Sequence, residues 1–179
     1  GIPPTFIDSN EGNIEAAREA GLTAHAGNIH SEDFLSSIDF SDIGKALALT
    51  ANDEINAFAQ HEMSKFVGRA NVYALPQRRP EAPASIDRHP DAAFGNDMTF
   101  NRLEGFFYSG AVVRSLTVTE QTSWEELREK EQLKAIPLFQ ARTDGTLQVH
   151  TEQSPIETLR KGTNLIFLSL DAANPRKGD

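Results

Sequence analysis

The chain has 179 residues, room for one domain or two small ones, and it is long enough to bury a sizeable core without disulfide or metal staples. It contains no cysteine, which excludes disulfide frameworks, thiolate catalysis and cysteine-ligated zinc or iron–sulfur centres. Its longest apolar runs, such as Leu165-Ile166-Phe167-Leu168, fall far below the roughly 20 residues a helix needs to cross a bilayer. The opening Gly1-Ile2-Pro3-Pro4 lacks the charged and apolar regions of a secretory signal, which, with the missing cysteine, fits a cytosolic setting. The formal charge of -9 is uneven: residues 1–76 hold four Lys and Arg against eleven Asp and Glu, net -7, and the remainder thirteen against fifteen, net -2. An acidic surface repels phosphate, so nucleic acid is not an expected partner.

Residues 1–76 read as strands alternating with helices. A short apolar run over 4–8 closes on Asp8, with Ser9 and Asn10 as cap candidates for a helix reaching Ala20 and stopping at Gly21. A second strand over 22–26 ends at Gly27-Asn28. Ser31 opens a helical stretch to about Ile38, and residues 40–43 form a further turn. Residues 46–50 give a third strand, apolar enough to be buried on both faces. Thr50 or Asn52 then caps a helix with acids in its first turn, running to about Val67 and stopping at Gly68, before a fourth strand over 70–75. Strands separated by helices imply parallel pairing through helical crossovers, the core of a doubly wound sheet.

Residues 76–90 carry four prolines and three arginines and little to bury, the composition of a linker or surface connection. Beyond it, 100–108 predicts a short helix ended by Gly110, and 111–119 a strand. Ser123-Trp124-Glu125-Glu126 is a capping box for a helix to about Lys130. Residues 136–143 and 146–151 flank Asp144-Gly145, the signal of a hairpin with a type I′ turn. Ser154-Pro155-Ile156-Glu157 has the form of a second capping box with Pro at the first helical position, stopped at Gly162, and 164–170 is the closing strand. The expected organisation is 1–76, a linker at 77–93, a small α+β unit over 94–170, and a polar tail over 171–179.

The search for chemistry is mostly negative. His25, His30, His61, His89 and His150 make no metal-ligand spacing with one another. His61-Glu62-Met63-Ser64-Lys65 begins like a zinc-protease helix, but Lys65 stands where the second ligand belongs. No nucleophile elbow surrounds any serine, and Ser31, Ser123 and Ser154 read as caps. Glu125, Glu126 and Glu129 read as a solvated helix face with Arg128 and Lys130. One constellation remains. Asp8, ending a parallel strand, is placed to accept ribose hydroxyls in the crevice above the strand ends, where the loops Gly27-Asn28-Ile29 and Thr50-Ala51-Asn52 also lie. The same residues are equally readable as helix caps and turn formers.

The succession Phe6-Ile7-Asp8-Ser9-Asn10, Gly21-Leu22, Gly27-Asn28, Ala48-Leu49-Thr50-Ala51-Asn52-Asp53-Glu54-Ile55-Asn56 and Val72-Tyr73-Ala74-Leu75-Pro76 resembles the TrkA-N or RCK domain, most of all the version joined to bacterial sodium/hydrogen antiporters. The resemblance covers residues 1–76 and, more weakly, 94–170. It implies an α/β fold, a Rossmann-like parallel sheet lacking its first strand-helix unit and followed by a smaller α+β unit. It implies a homodimer at the cytoplasmic face of the inner membrane, coupled to the membrane-embedded antiporter domain of the same parent chain. Carried over by position, Asp8 would face ribose, Asn28 and Ile29 would border adenine, and Thr50 and Asn52 would line the crevice, the cofactor being NAD, NADH or an adenine nucleotide in the intact parent.

The family's G-x-G-x-x-G phosphate turn does not occur in this sequence. Phosphate is held by backbone N–H groups at that turn and the helix after it, so the chain is expected to bind dinucleotide weakly or not at all. The central strand is expected to be missing between the Asp8 and Leu47 strands, leaving two exposed edges or a rearranged sheet. The competing readings are a fragment of an NAD-dependent oxidoreductase, which would need a proton donor such as Tyr with a nearby Lys that neither Tyr73 nor Tyr108 has, and a ligand-free protein-interaction module.

Overall fold

The computed structural model describes residues 2–77 and 92–171. The Pro-rich stretch over 78–91, with His89, and the tail from 172 onward lie outside the described residues. The first unit begins with β1 (Thr5–Asp8), α1 (Glu11–Glu19) and β2 (Thr23–Ala26). Asn10 caps α1 by accepting from Gly12 N–H, and Gly21 leaves it at φ 78°, a left-handed turn that glycine adopts without steric cost. Arg18, in the last turn, donates Nε–H and an Nη–H to the Ala24 carbonyl at 3.1 and 2.8 Å, tying the helix to the strand it leads into. β1 and β2 pair in parallel, Thr5 opposite Thr23 and Asp8 opposite Ala26.

The short α2 (Glu32–Ser36), capped by Ser31, carries the chain to β3 (Ala46–Ala48). From there α3 (Asp53–Val67) and a single 3-10 turn over Arg69–Asn71 lead to β4 (Val72–Ala74), which lies parallel to β3. Both parallel pairs are therefore βαβ crossovers, as the alternating pattern predicts. Among the described residues β1 hydrogen-bonds only to β2 and β3 only to β4, so the parallel layer is two separate pairs. The pairs meet through side chains: Leu35, Ile38 and Phe40 pack with Met63 and Val72, and Ile7 of β1 and Ala46 of β3 border the same cluster. The prediction that β3 is buried on both faces holds at Ala48 but not at Leu49, which ends the run 38% exposed.

Residue 92 resumes the chain inside the core. Ala92 forms a parallel bridge with Ala74, Ala93 is fully buried and donates its N–H to the Ala74 carbonyl at 2.8 Å. Helix α4 (Phe100–Tyr108) follows, capped by Thr99, and then an antiparallel unit. Its four-stranded sheet has the order β5 (Val112–Thr117), β10 (Asn164–Ser169), β7 (Ala135–Ala141), β8 (Leu147–Val149). A short pair, β6 (Thr122–Ser123) with β9 (Thr158–Leu159), and helix α5 (Trp124–Lys130) cover one face, Trp124 and Leu127 lying against Leu165 and Phe167.

Two local predictions are corrected. The turn over 142–146 is not type I′, which needs positive φ at both central residues. Gly145 N–H bonds to the Arg142 carbonyl at 3.1 Å and only Gly145 is left-handed, at φ 85°, the three-residue hairpin with a glycine bulge. The Ser154-Pro155-Ile156-Glu157 segment forms no helix. Its backbone is claimed by tertiary partners, Ile156 N–H by the His150 ring and the Glu157 carbonyl by Trp124 N–H, before β9 begins.

Gly27 shows how tightly the β2 end is packed, since a Cβ there would stand 2.1 Å from the Phe34 ring. Replacing Gly27 by Ala is expected to push Phe34 off the Leu35 cluster and to cost about 1–3 kcal/mol of stability, read from urea unfolding midpoints at unchanged m-value.

Candidate functional site

The carboxyl ends of the parallel strands lie on one side of the layer. Ile29, two residues beyond Gly27 at the end of β2, packs on Ala48 and Ala74, the last residues of β3 and β4, and on Ala59 of α3. The loop after β2 thus meets the ends of β3 and β4, and Gly27 N–H, bonded to the Asp8 carbonyl, sets its start beside the end of β1. Asp8 ends β1, Asn28 and Ile29 lie in the loop after β2, and Thr50 and Asn52 lie in the loop after β3.

Each of these side chains already has local work. Asp8 is half-buried at the end of β1. One of its carboxylate oxygens accepts from Asn10 N–H at 2.9 Å, the other from Asn13 Nδ2 at 2.8 Å, and its carbonyl accepts from Gly27 N–H at 3.0 Å. A carboxylate offers about four lone-pair positions, so two such bonds leave acceptor capacity on the open side. Asn28 closes its own turn, its Oδ1 accepting from His30 N–H at 2.9 Å and its carbonyl from Ser31 N–H. Asn52 is the cap of α3, accepting from Glu54 and Ile55 N–H at 2.9 and 3.1 Å. Its own N–H donates to Thr50 Oγ1 at 3.2 Å. Cap and turn roles are present at Asp8, Asn28, Thr50 and Asn52, and Ile29 serves as an apolar wedge between β2 and the β3–β4 pair.

Two features lie outside the five. Asn56, on the first turn of α3 and 2% exposed, clamps the β3–α3 loop. Its Oδ1 accepts from Thr50 N–H at 3.0 Å and from the Thr50 hydroxyl at 2.8 Å, and its Nδ2 donates to the Thr50 carbonyl at 2.9 Å. All of the hydrogen-bonding groups of Thr50 are thereby directed by one buried amide, a charge-free way of fixing a strand-end loop. The spacing Thr50-x-Asn52-x-x-x-Asn56 carries the signal: an Asn at that position faces back onto the cap, since residues one turn apart share a helix face. The second feature is the stacking of His30 on Phe58 at 4.1 Å between ring centroids, which seats the β2–α2 loop on α3.

Lys65, which stands where a zinc-protease helix would need its second ligand, forms an ion pair instead, its Nζ lying 2.6 Å from Glu62 Oε1 with His61 exposed beside it. On α5, Glu126 completes the capping box, and the Ser123 N–H, followed by the Thr122 hydroxyl, holds its carboxyl below the usual range. Arg128 pairs with Glu125, and Lys130 with Glu120 at 3.1 Å. Among the described residues no three His, Asp or Glu side chains are grouped to hold a metal, and no helix is long and apolar enough to cross a membrane.

Truncating Asn56 to Ala removes the three hydrogen bonds that its buried amide makes to Thr50. The expected loss is about 1–3 kcal/mol, with accelerated hydrogen exchange confined first to Thr50 and the start of α3; uniform destabilisation without that local signature would refute the clamp.

No curated protein matches the chain. Solved structures that match include the crystal structure of the GsuK RCK domain, at 11% identity and a TM-score of 0.30; the alignment covers 92% of this chain, which spans 43% of that one. Residues 2–85, just under half of the chain and the part that holds the parallel strands, match the family model of the TrkA-N domain.

Proposed function

We propose that this chain is a regulatory domain, without catalytic residues of its own, of a monovalent-cation transport system, and in particular of a sodium/hydrogen antiporter that it serves from the cytoplasmic face of the membrane. The observation that carries this reading is the TrkA-N match of residues 2–85 falling on the unit in which the loop after β2 bonds to the end of β1 and packs on the ends of β3 and β4. In it, Asp8 accepts the hydroxyls of a ribose, Asn28 and Ile29 border an adenine, and Thr50 and Asn52 form the opposite wall. The ligand is NAD, NADH or an adenine nucleotide, and its binding is relayed to the membrane-embedded domain through the short strands and the helices that cover them.

Affinity in the 179-residue chain is a separate matter. No glycine-rich turn is present to cradle a phosphate, and residues 1–76 carry a net -7. Titration calorimetry with NAD, NADH, ATP and AMP is therefore expected to show no saturation at micromolar concentration. At millimolar AMP a rise in melting temperature is expected, abolished in Asp8→Asn. Micromolar saturation would overturn the weak-binding expectation, and an Asp8-independent shift, or none, would favour a ligand-free interaction module.

A homodimer is the proposed assembly, and α4 supports it. Phe107 is 47% and Tyr108 85% exposed, and with Phe100 and Leu103 they line a shallow apolar groove on the helix. The sides of β1 and β3 that are unpaired among the described residues, with Phe6 and Leu49 exposed beside them, offer a second surface for pairing. Sedimentation at high micromolar concentration is expected to give a dimer, and Phe107→Glu to shift it toward monomer. A strictly monomeric profile of the unsubstituted chain would count against the assembly.

A further inference from the structure

We propose that His150 is a proton-sensitive joint between the antiparallel unit and the parallel strands, holding the two together in its neutral form and loosening them when its ring is protonated. The position is unusual in its connections. His150 N–H bonds to the Leu138 carbonyl at 2.9 Å, extending the β7–β8 pairing by one step. Its carbonyl accepts from Phe94 N–H at 2.7 Å, and its ring Nδ1 accepts from Ile156 N–H at 3.1 Å. An imidazole nitrogen that accepts from a backbone N–H carries no proton, so the geometry itself specifies the neutral ring. Adding a proton at Nδ1 would set donor against donor and leave Ile156, 2% exposed, with an orphaned N–H.

What the joint holds is under strain. Phe94 adopts φ 67°, the left-handed region that a bulky side chain enters only at a cost. It is buried, its ring meets Phe139 edge-on at 5.3 Å between centroids, and its N–H is fastened to His150. Its neighbour Ala93 donates to the Ala74 carbonyl at the end of β4, the strand whose last residue also supports Ile29 at the crevice. Release of the loop after β8 would therefore be felt two residues from the parallel layer.

The surroundings favour the neutral ring. Segment 92–95 brings only Ala92, Ala93, Phe94 and Gly95, β7 brings Leu138 and Phe139, and β8 brings Val149 and the uncharged Gln148. Of the charged groups near it in the chain, Glu152 and Glu157 on the loop and Arg142 and Asp144 in the β7–β8 turn are all exposed, and Asp97, just beyond segment 92–95, is paired with Arg102. Burial lowers the His150 pKa below its ordinary 6.5. The sign follows from that direction. Opened chain binds the proton better than closed chain, so the joint's contribution is complete above pH 6.5 and is lost as pH falls through the lowered value.

The test is amide hydrogen exchange by NMR on the full chain between pH 7.5 and 5, corrected for intrinsic exchange, with the His150 ring signal followed in the same samples. Below pH 6.5 the protection of Ile156 and Phe94 amides is expected to fall together by about tenfold per pH unit, the slope of a single linked proton. In His150→Asn, whose Oδ1 can accept from Ile156 N–H without titrating, protection is expected to stay flat, and His150→Gln serves if the Asn variant is poorly folded. The proposal is overturned if either folded variant loses protection with the same pH dependence. It is equally overturned if the ring titrates at or above 6.5 with both amides still protected, or if Ile156 opens while Phe94 does not.

Discussion

The architecture depends on the burial of three residues, Ala92, Ala93 and Phe94, between a parallel layer and an antiparallel one. The strands of the parallel layer are three or four residues long and occur as two separate pairs, lengths that are marginal in isolation. They persist because Leu47, Tyr73 and Leu75 share a core with Leu138, Val149 and Leu168 of the antiparallel sheet, and Ala93 at zero exposure sits within that core. Small side chains at 92 and 93 let the backbones come within hydrogen-bonding distance of Ala74 on one side, while Phe94 reaches His150 on the other. A larger residue in such a close-packed seam would have to displace its neighbours.

Around the crevice the chain uses the same device several times: a short polar side chain at a strand end satisfies the backbone N–H groups of the turn or helix that follows. Asp8 serves the entrance to α1, Asn28 its own turn, Asn52 the start of α3, and Asn56 closes the set by directing Thr50. The consequence is a group of oxygen and amide functions held in place by local bonds, at the end of the sheet where a ligand in a parallel α/β layer meets the loops.

Several element ends are fixed by local signals. The capping box at Ser123, the Asn52 cap with acids behind it, and the stops at Gly21 and Gly68 all describe elements whose ends are decided within four or five residues. The same kind of signal misled at Ser154, where proline and a following acid match a helix start. There Ile156 N–H and the Glu157 carbonyl find partners on His150 and Trp124, and burial of Ile156 outweighs a single turn of helix. Asp144-Gly145 marked the hairpin correctly and its turn type incorrectly, because only Gly145 takes a positive φ and Asp144 Oδ1 is used to accept from Thr146 N–H at 2.8 Å.

The amino-acid order by itself determined the alternation of strand and helix, the parallel sense that follows from crossovers, and the caps, because each rests on neighbours in the chain or on a handedness that every L-peptide shares. Tertiary structure alone decided that the parallel strands form two pairs, that Leu49 ends exposed, that Asn56 is buried against Thr50, and that His150 sits between two units with a strained Phe94 on its carbonyl. Those outcomes depend on contacts between residues tens of positions apart, where packing and desolvation outweigh local preference and no nearby residue records the result.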